Sequence, residues 1–211
     1  MGIAERRQRE KSRRKKLIQN AALEVFMRKG FSATTMEDIA EKAELSIATI
    51  YLYFKSKDEL YASLNLLTFQ YLHDQVQNVY ENRSLTVEEK MLGYRDAMYD
   101  AERYNPTILR IIFHFQVNDI LPSLDRKLLA KLDQLGQKTM AMIAATYEEG
   151  VRQGKFQEGS GMVHAEILWA IFSGLVLWHG NKRRTDSGQD VIRPTLDRAF
   201  DIFCRGIQHT A

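Results

Sequence analysis

Arg6, Arg7, Arg9, Lys11, Arg13, Arg14, Lys15 and Lys16 crowd into the first sixteen residues beside only Glu5 and Glu10. That segment carries +6 in a chain whose net charge is +3, so everything after it sums to −3. Cations at this density suit a polyanion whose condensed counterions they displace. Taken alone, such a run is equally a solvated tail. A series of hydroxyls and a further lysine then follows at short intervals: Thr35, Ser46, Thr49, Tyr51, Tyr53 and Lys57. Hydroxyl, phenol and ammonium groups bind phosphate oxygens and the edges of bases. Nothing comparable supports catalysis or metal binding. His73, His114, His164, His179 and His209 share no i, i+4 face, and no glycine-rich phosphate loop, nucleophile elbow or His-Glu-x-x-His pattern occurs. No cofactor and no metal is called for. The single cysteine, Cys204, lies in an apolar stretch and reads as a small buried hydrophobe rather than a redox group.

The elements that must position these groups are helices. Only Pro106, Pro122 and Pro194 break the chain's helical potential, and alternating Val/Thr-rich runs are few, so the fold class is all-α with about nine helices. Leu17, Ala21 and Val25 form one i, i+4 row and Ile18, Ala22 and Phe26 its neighbour, which predicts a first helix from within the basic run to Gly30. Thr34 with Glu37 and Thr35 with Asp38 offer two overlapping capping boxes, Ser46 offers a cap, and Ser56-Lys57-Asp58-Glu59 offers another box. Two short helices, Thr35–Ala43 and Ser46–Phe54, are expected between these signals, joined by the turn Glu44-Leu45. Ile39, Ala43, Leu45, Ile50 and Phe54 have the spacing to share a core with the first helix. Longer helices are expected over 57–80, from the Thr86 box to Tyr104, from Asn105-Pro106 toward Asn118, from Pro122-Ser123 to Gly154, and over 161–179 and 190–209. The polar stretch 181–189 reads as a loop.

Two short helices joined by a tight turn, supported by a third and preceded by basic charge, match a DNA-binding helix-turn-helix. The stretch Gly30-Phe31-Ser32-Ala33-Thr34-Thr35-Met36-Glu37-Asp38-Ile39-Ala40, with Ser46-Ile47-Ala48-Thr49-Ile50-Tyr51-Leu52-Tyr53-Phe54-Lys55-Ser56-Lys57-Asp58-Glu59-Leu60, closely resembles the signature of the TetR family of one-component transcriptional repressors. The resemblance covers about residues 15–62. It implies that Ser46–Phe54 is the recognition helix and that Ala48 lets the backbone lie close to DNA. Thr49 and Tyr53 would face bases or nearby phosphates, and Tyr51, Thr35 and Lys57 would hold the phosphate backbone. Tyr51 and Tyr53 lie two apart on a helix and cannot face the same side, so one of them is expected to pack on the scaffold. Two positions depart from the family pattern. Glu44 stands where glycine is usual, so a differently built turn is expected, and Ile47 stands where a basic or small polar residue is frequent. Lys57 opposes the dipole of the helix it opens, which makes sense if an external anion is its partner.

The rest of the chain is expected to bind an effector and a second subunit. Tyr94, Met98, Phe113, His114, Met140, Trp169 and Phe172 are candidates for an effector pocket, with ordinary core packing as the alternative for each. Ile167, Ile171, Leu175 and Trp178, together with Leu196, Phe200 and Phe203 on the last helix, are the candidate dimer face. The expected organisation is a basic arm over 1–14, a helix-turn-helix domain over 15–60 and an effector-binding and dimerisation domain over 61–211. The apolar stretch Ile167–Trp178, interrupted by Ser173 and Gly174, reads as too short to span a bilayer, so no membrane is expected. The charged N-terminus has no apolar segment behind it, and a cytoplasmic protein is expected. The reading that results is a ligand-responsive regulator, repressing in sense, that binds palindromic double-stranded operator DNA as a homodimer. A small apolar or amphipathic effector would release it. An activator, an effector-independent DNA scaffold and, more remotely, an all-α enzyme are the rival readings.

Overall fold

The computed structural model describes residues 2–106, 109, 126–182 and 192–209. Among them the chain forms eight helices: α1 (Ile3–Lys29), α2 (Met36–Lys42), α3 (Ile47–Tyr51), α4 (Lys57–Glu81), α5 (Val87–Tyr104), α6 (Arg126–Arg152), α7 (Gly161–Lys182) and α8 (Ile192–Ile207). The helix expected toward Asn118 and most of the loop expected over 181–189 lie outside the described residues.

Each early boundary follows from a local side chain. Gly30 ends α1 at φ 78°, a left-handed value open to glycine, and its N–H reaches the Phe26 carbonyl at 2.9 Å. Of the two capping boxes, the structure uses Thr35 with Asp38. Thr34 is buried instead, and its hydroxyl donates to the Gly30 carbonyl at 2.7 Å. Ser46, Ser56 and Thr86 cap α3, α4 and α5. The basic segment is helical from Ile3 and continuous with α1, its side chains almost all exposed.

Two clusters of buried apolar side chains form. The first gathers Ile18, Ala22 and Phe26 of α1, Ile39 of α2, Ile50 of α3 and Phe54, with Leu60, Tyr61 and Leu64 from the first two turns of α4. The second is built from α5 to α8, with Leu72 and Val76 from the later turns of α4. Helix α4 therefore contributes to both. A buried polar tie also joins it to α1: Gln19 Nε2 donates to Ser63 Oγ at 2.9 Å, and that hydroxyl donates to the Leu60 carbonyl.

Helix α7 runs through Ser173 and Gly174, as expected over 161–179, and Gly161–His179 is long and apolar enough, by length and composition, to cross a membrane, where the apolar run Ile167–Trp178 by itself read as too short. One face, carrying Ala165, Leu168, Phe172 and Val176, is buried in the second cluster. The opposite face is exposed. A single such helix is weak evidence for a span, since core helices have the same composition.

Candidate nucleic-acid interface

The turn between α2 and α3 is built around Glu44, which takes φ 55° and is the one non-glycine residue at positive φ among the described residues. Leu45 N–H reaches back to the Ala40 carbonyl at 3.0 Å and Ala43 N–H to Ile39 at 2.9 Å. This is a helix stop whose left-handed position normally falls to glycine. The sequence suggested a differently built turn; the structure keeps the turn and places a strained glutamate in it, at a cost of about 1–2 kcal/mol.

Helix α3 is shorter than expected. After Tyr51 the amides of Leu52 and Tyr53 bond to the Thr49 and Ile50 carbonyls three residues back, so the last turn tightens before Phe54 returns to the core. Its sides divide cleanly. Ile50 is fully buried, and Ile47 and Tyr53 pack against the first cluster, which gives Ile47 an apolar reason to replace a polar residue. Ser46, Ala48, Tyr51 and Leu52 face solvent, with Tyr51 49% and Leu52 81% exposed. Ser46 Oγ accepts the Thr49 amide at 3.2 Å and lies 2.8 Å from the Thr49 hydroxyl, so the cap also fixes the Thr49 side chain. Leu52 is the most exposed large apolar side chain here, four residues after Ala48 and on the same outward side.

At the entrance to α2, Thr35 N–H donates to Asp38 Oδ2 at 3.0 Å and Asp38 N–H to Thr35 Oγ1 at 3.1 Å. Lys29 Nζ pairs with Asp38 Oδ1 at 2.5 Å. The lysine's hydrogen bond, and next the Thr35 amide, hold the Asp38 carboxyl below its ordinary value. Lys29 thus offsets a carboxylate that would otherwise sit bare beside Thr35. On the α1 side, Lys15 Nζ lies 5.4 Å from the centre of the Phe54 ring.

Lys57 does not point outward as a free phosphate ligand. Its Nζ donates to the carbonyls of Phe31 and Thr34, both at 2.8 Å, and approaches that of Ser32 at 3.5 Å. The same ammonium lies 4.5 Å from the centre of the Phe31 ring. The charge that looked misplaced at a helix N-terminus is balanced from inside the protein.

The described candidate effector residues belong to the core of the larger helical part or to its edge. Tyr94, Met98 and Phe172 are buried in the second cluster, and Met140 and Trp169 pack on its edge. The Tyr94 hydroxyl lies 2.6 Å from Thr146 Oγ1, which itself donates to the Met142 carbonyl, so Tyr94 is the donor. Burial pushes its pKa up to about 12. Trp169 lies between Phe69 and Phe172, ring centres 5.9 and 5.8 Å away. Phe113 and His114 lie outside the described residues. An open cleft of about 940 Å³ lies elsewhere, between Tyr80–Lys90 and the end of α6, and none of the candidates lines it. Cys204 is half-buried and its thiol is pushed up to about 11 by burial, as expected of a packing residue rather than a nucleophile.

The candidate dimer face is corrected in part. Leu196, Phe200 and Phe203 are buried within the subunit, because the stripe of α8 packs on α5 and α7. Ile171 and Leu175 are half-buried. Ile167 and Trp178 are exposed, Trp178 by 64%, on a face shared with Val163, Gly174 and Leu177. On α8, Ile202 is 60% exposed. Sequence reasoning also missed the ion-pair box that docks α8 on α5, in which Arg193 bridges Asp96 and Asp197 at 2.9 Å and Arg95 meets both. The two contacts that join the helices, Arg193–Asp96 and Arg95–Asp197, link residues about a hundred positions apart, and no local signal joins them.

Comparison with known proteins places this geometry. Residues 18–64 match the model of the bacterial regulatory proteins of the tetR family. The uncharacterized HTH-type transcriptional regulator YvkB of Bacillus subtilis is 24% identical over 196 residues, covering 91% of this chain and 96% of that protein. IcaR of Staphylococcus aureus, the HTH-type negative transcriptional regulator of the biofilm operon icaADBC, is 24% identical over 135 residues, 64% of this chain and 69% of its own. The transcriptional regulator FadR of Bacillus subtilis, solved in complex with stearoyl-CoA, shares the fold with a TM-score of 0.68 at 19% identity, over 91% of this chain and 98% of that one. Residues 18–64 thus match the helix-turn-helix of the tetR family, and the chain is similar over nearly its whole length to helix-turn-helix transcriptional regulators with the same fold.

Proposed function

We propose that this protein is a repressor that binds palindromic operator DNA as a homodimer in the cytoplasm and is released by a small apolar or amphipathic effector. The observation that carries the reading is the outward side of α3. Ser46, Ala48, Thr49, Tyr51 and Leu52 lie there over a core built by Ile50 and Phe54, flanked by the basic α1. Small and hydroxyl side chains let the helix enter a major groove, Tyr51 and Thr35 supply phosphate contacts, and Leu52 suits a thymine methyl. The functional units run over 15–60 and 61–211, with the boundary inside α4 and the basic residues of 1–14 adding phosphate contacts.

The exposed apolar outer face of α7, with Ile202 of α8, is the proposed subunit contact. It buries against a second copy rather than lipid, since the other half of the helix is already committed to the protein core. A two-fold pair sets the recognition helices about 34–36 Å apart, one turn of DNA. For the effector, the aromatic group of Phe69, Trp169 and Phe172 marks the apolar end of the proposed pocket. The acyl-CoA bound by FadR supplies the first compound class to try.

Footprinting on genomic fragments, with long-chain acyl-CoA as the first probe, tests the reading. A protected two-fold symmetric site, lost on adding the probe or a co-purified ligand found by native mass spectrometry, is the expected result. Sequence-independent coating of DNA would instead identify a scaffold, and a protected site that raises transcription an activator.

A further inference from the structure

The open cleft of about 940 Å³ between the α4–α5 turn and the end of α6 lies apart from both the recognition surface and the proposed effector pocket. Its cations come from separate stretches of chain: Arg83 from the turn, Lys90 from α5, and Arg152 and Lys155 from the end of α6 and just beyond it. Lys90 Nζ donates to the Tyr80 carbonyl at 2.7 Å and lies 5.6 Å from the centre of the Tyr80 ring. That bond uses one of its three donors, so the ammonium is held in place with two to spare. Arg83 is exposed, and its guanidinium makes no hydrogen bond or ion pair among the described residues. Lys155 Nζ meets Glu88 loosely, at 3.9 Å. Two of the carboxylates are better occupied. Glu149 accepts from Arg152 and from Gln153, and Glu81 accepts from Gln77 at 2.7 Å.

The rest of the lining is apolar or aromatic. Val87 is buried, Leu85 and Ala145 are half-buried, and Tyr80 offers a partly exposed ring. An inorganic anion would fill a small part of this space, and a wholly apolar molecule would leave the cations unmatched. Clefts of about 300–1,000 Å³ hold small organic molecules. We infer that the cleft is a binding site for a nucleoside monophosphate, distinct from the proposed effector pocket. The phosphate meets Arg83, Lys90 and Lys155, and the base lies against Tyr80 and the apolar lining. Guanidinium and ammonium groups bind phosphate oxygens as a fork and as a point charge. Glu88, loosely held, accepts from the ribose hydroxyls, donors that a bare phosphate lacks. Four cations and three carboxylates line the cleft, an excess of one, which suits a single phosphate better than a triphosphate.

The test uses the full-length protein without DNA, titrated by calorimetry in phosphate-free buffer with AMP, GMP, CMP and UMP. At least one should bind with a dissociation constant below about 1 mM. Its nucleoside and inorganic phosphate should each bind about tenfold more weakly, since each makes part of the contacts. The bound nucleotide should slow amide hydrogen exchange in peptides spanning 80–90 and 145–155 and leave those of α1 to α3 unchanged. R83E, an exposed substitution, should keep the helical content, weaken the nucleotide about tenfold and leave the nucleoside unaffected. Y80A should weaken nucleotide and nucleoside alike while inorganic phosphate binds as before. Failure of all four nucleotides to bind overturns the proposal, as does binding no tighter than that of inorganic phosphate. Protection confined to the basic residues of α1, or nucleotide affinity untouched by R83E, overturns it as well. None of these measurements involves an operator, so the outcome is independent of the DNA-binding reading.

Discussion

Thr35 and Asp38 cap each other at the start of α2, amide to carboxylate at 3.0 Å and amide to hydroxyl at 3.1 Å, and Lys29 holds the same carboxylate from α1. T35A should lower stability by about 1 kcal/mol through removal of the cap, and it should weaken operator binding more than the stability change predicts. Denaturant melts alongside gel shifts separate the two effects. An equal loss in T35S, which retains the hydroxyl, would argue against the cap.

Asp38 also gives the domain a pH dependence of known sign. Its carboxyl is depressed in the folded chain by Lys29 and the Thr35 amide. A depressed carboxyl stabilises at pH above its ordinary value of 3.8, and that contribution disappears as pH falls through the lower folded value. Acid titration of hydrogen exchange in α2 should therefore show protection falling below about pH 4. D38N should flatten that part of the profile.

Glu44 is strained where glycine would be at ease. E44G removes the side-chain clash of the left-handed conformation and loses part of that gain to the greater freedom of glycine in the unfolded chain. A net rise in stability of about 0.5–1 kcal/mol is expected, read from thermal or urea unfolding. A destabilised E44G would mean that the glutamate makes a compensating contact.

Removing residues 2–14 should weaken operator binding and flatten its salt dependence. Every phosphate that the shortened chain no longer neutralises lowers the slope of log K against log salt by about 0.9. Equal slopes for the full and shortened chains would show the basic stretch to be a bystander. Glu10 is paired with Arg13 and Arg14, which pull its carboxyl below the ordinary value, so E10Q should free both arginines and steepen the slope.

The two apolar helices at the C-terminal end should respond differently. W178E, on the exposed outer face of α7, should yield a monomer by light scattering with its helical content intact and no measurable operator binding. F200A, inside the subunit, should cost about 3–5 kcal/mol of stability as a cavity mutation. Loss of folding in W178E and pairing unaffected by it would both count against the proposed face.

How much of this was legible in the sequence depends on the distance over which each signal acts. Thr35, Ser46, Ser56 and Thr86 act within three residues, and the helix starts they announce are where the structure puts them. The burial of Ile50 and Phe54 followed from spacing alone. The stripe of Leu196, Phe200 and Phe203 was visible as a stripe, but an apolar periodicity does not say which neighbour it meets. Here the neighbours are α5 and α7 of the same chain. Lys57 misleads for the same reason: its carbonyl partners lie 23 to 26 positions back, and only the folded chain brings them to it.

The exposed outer face of α7 carries a consequence for dosage. If the operator is held only by pairs, the amount of active regulator at low copy number grows with the square of the amount synthesised. Halving expression would then cut operator occupancy by more than half. A cell that dilutes the protein at division would cross from silent to expressed over a narrow range of copy number, without any effector.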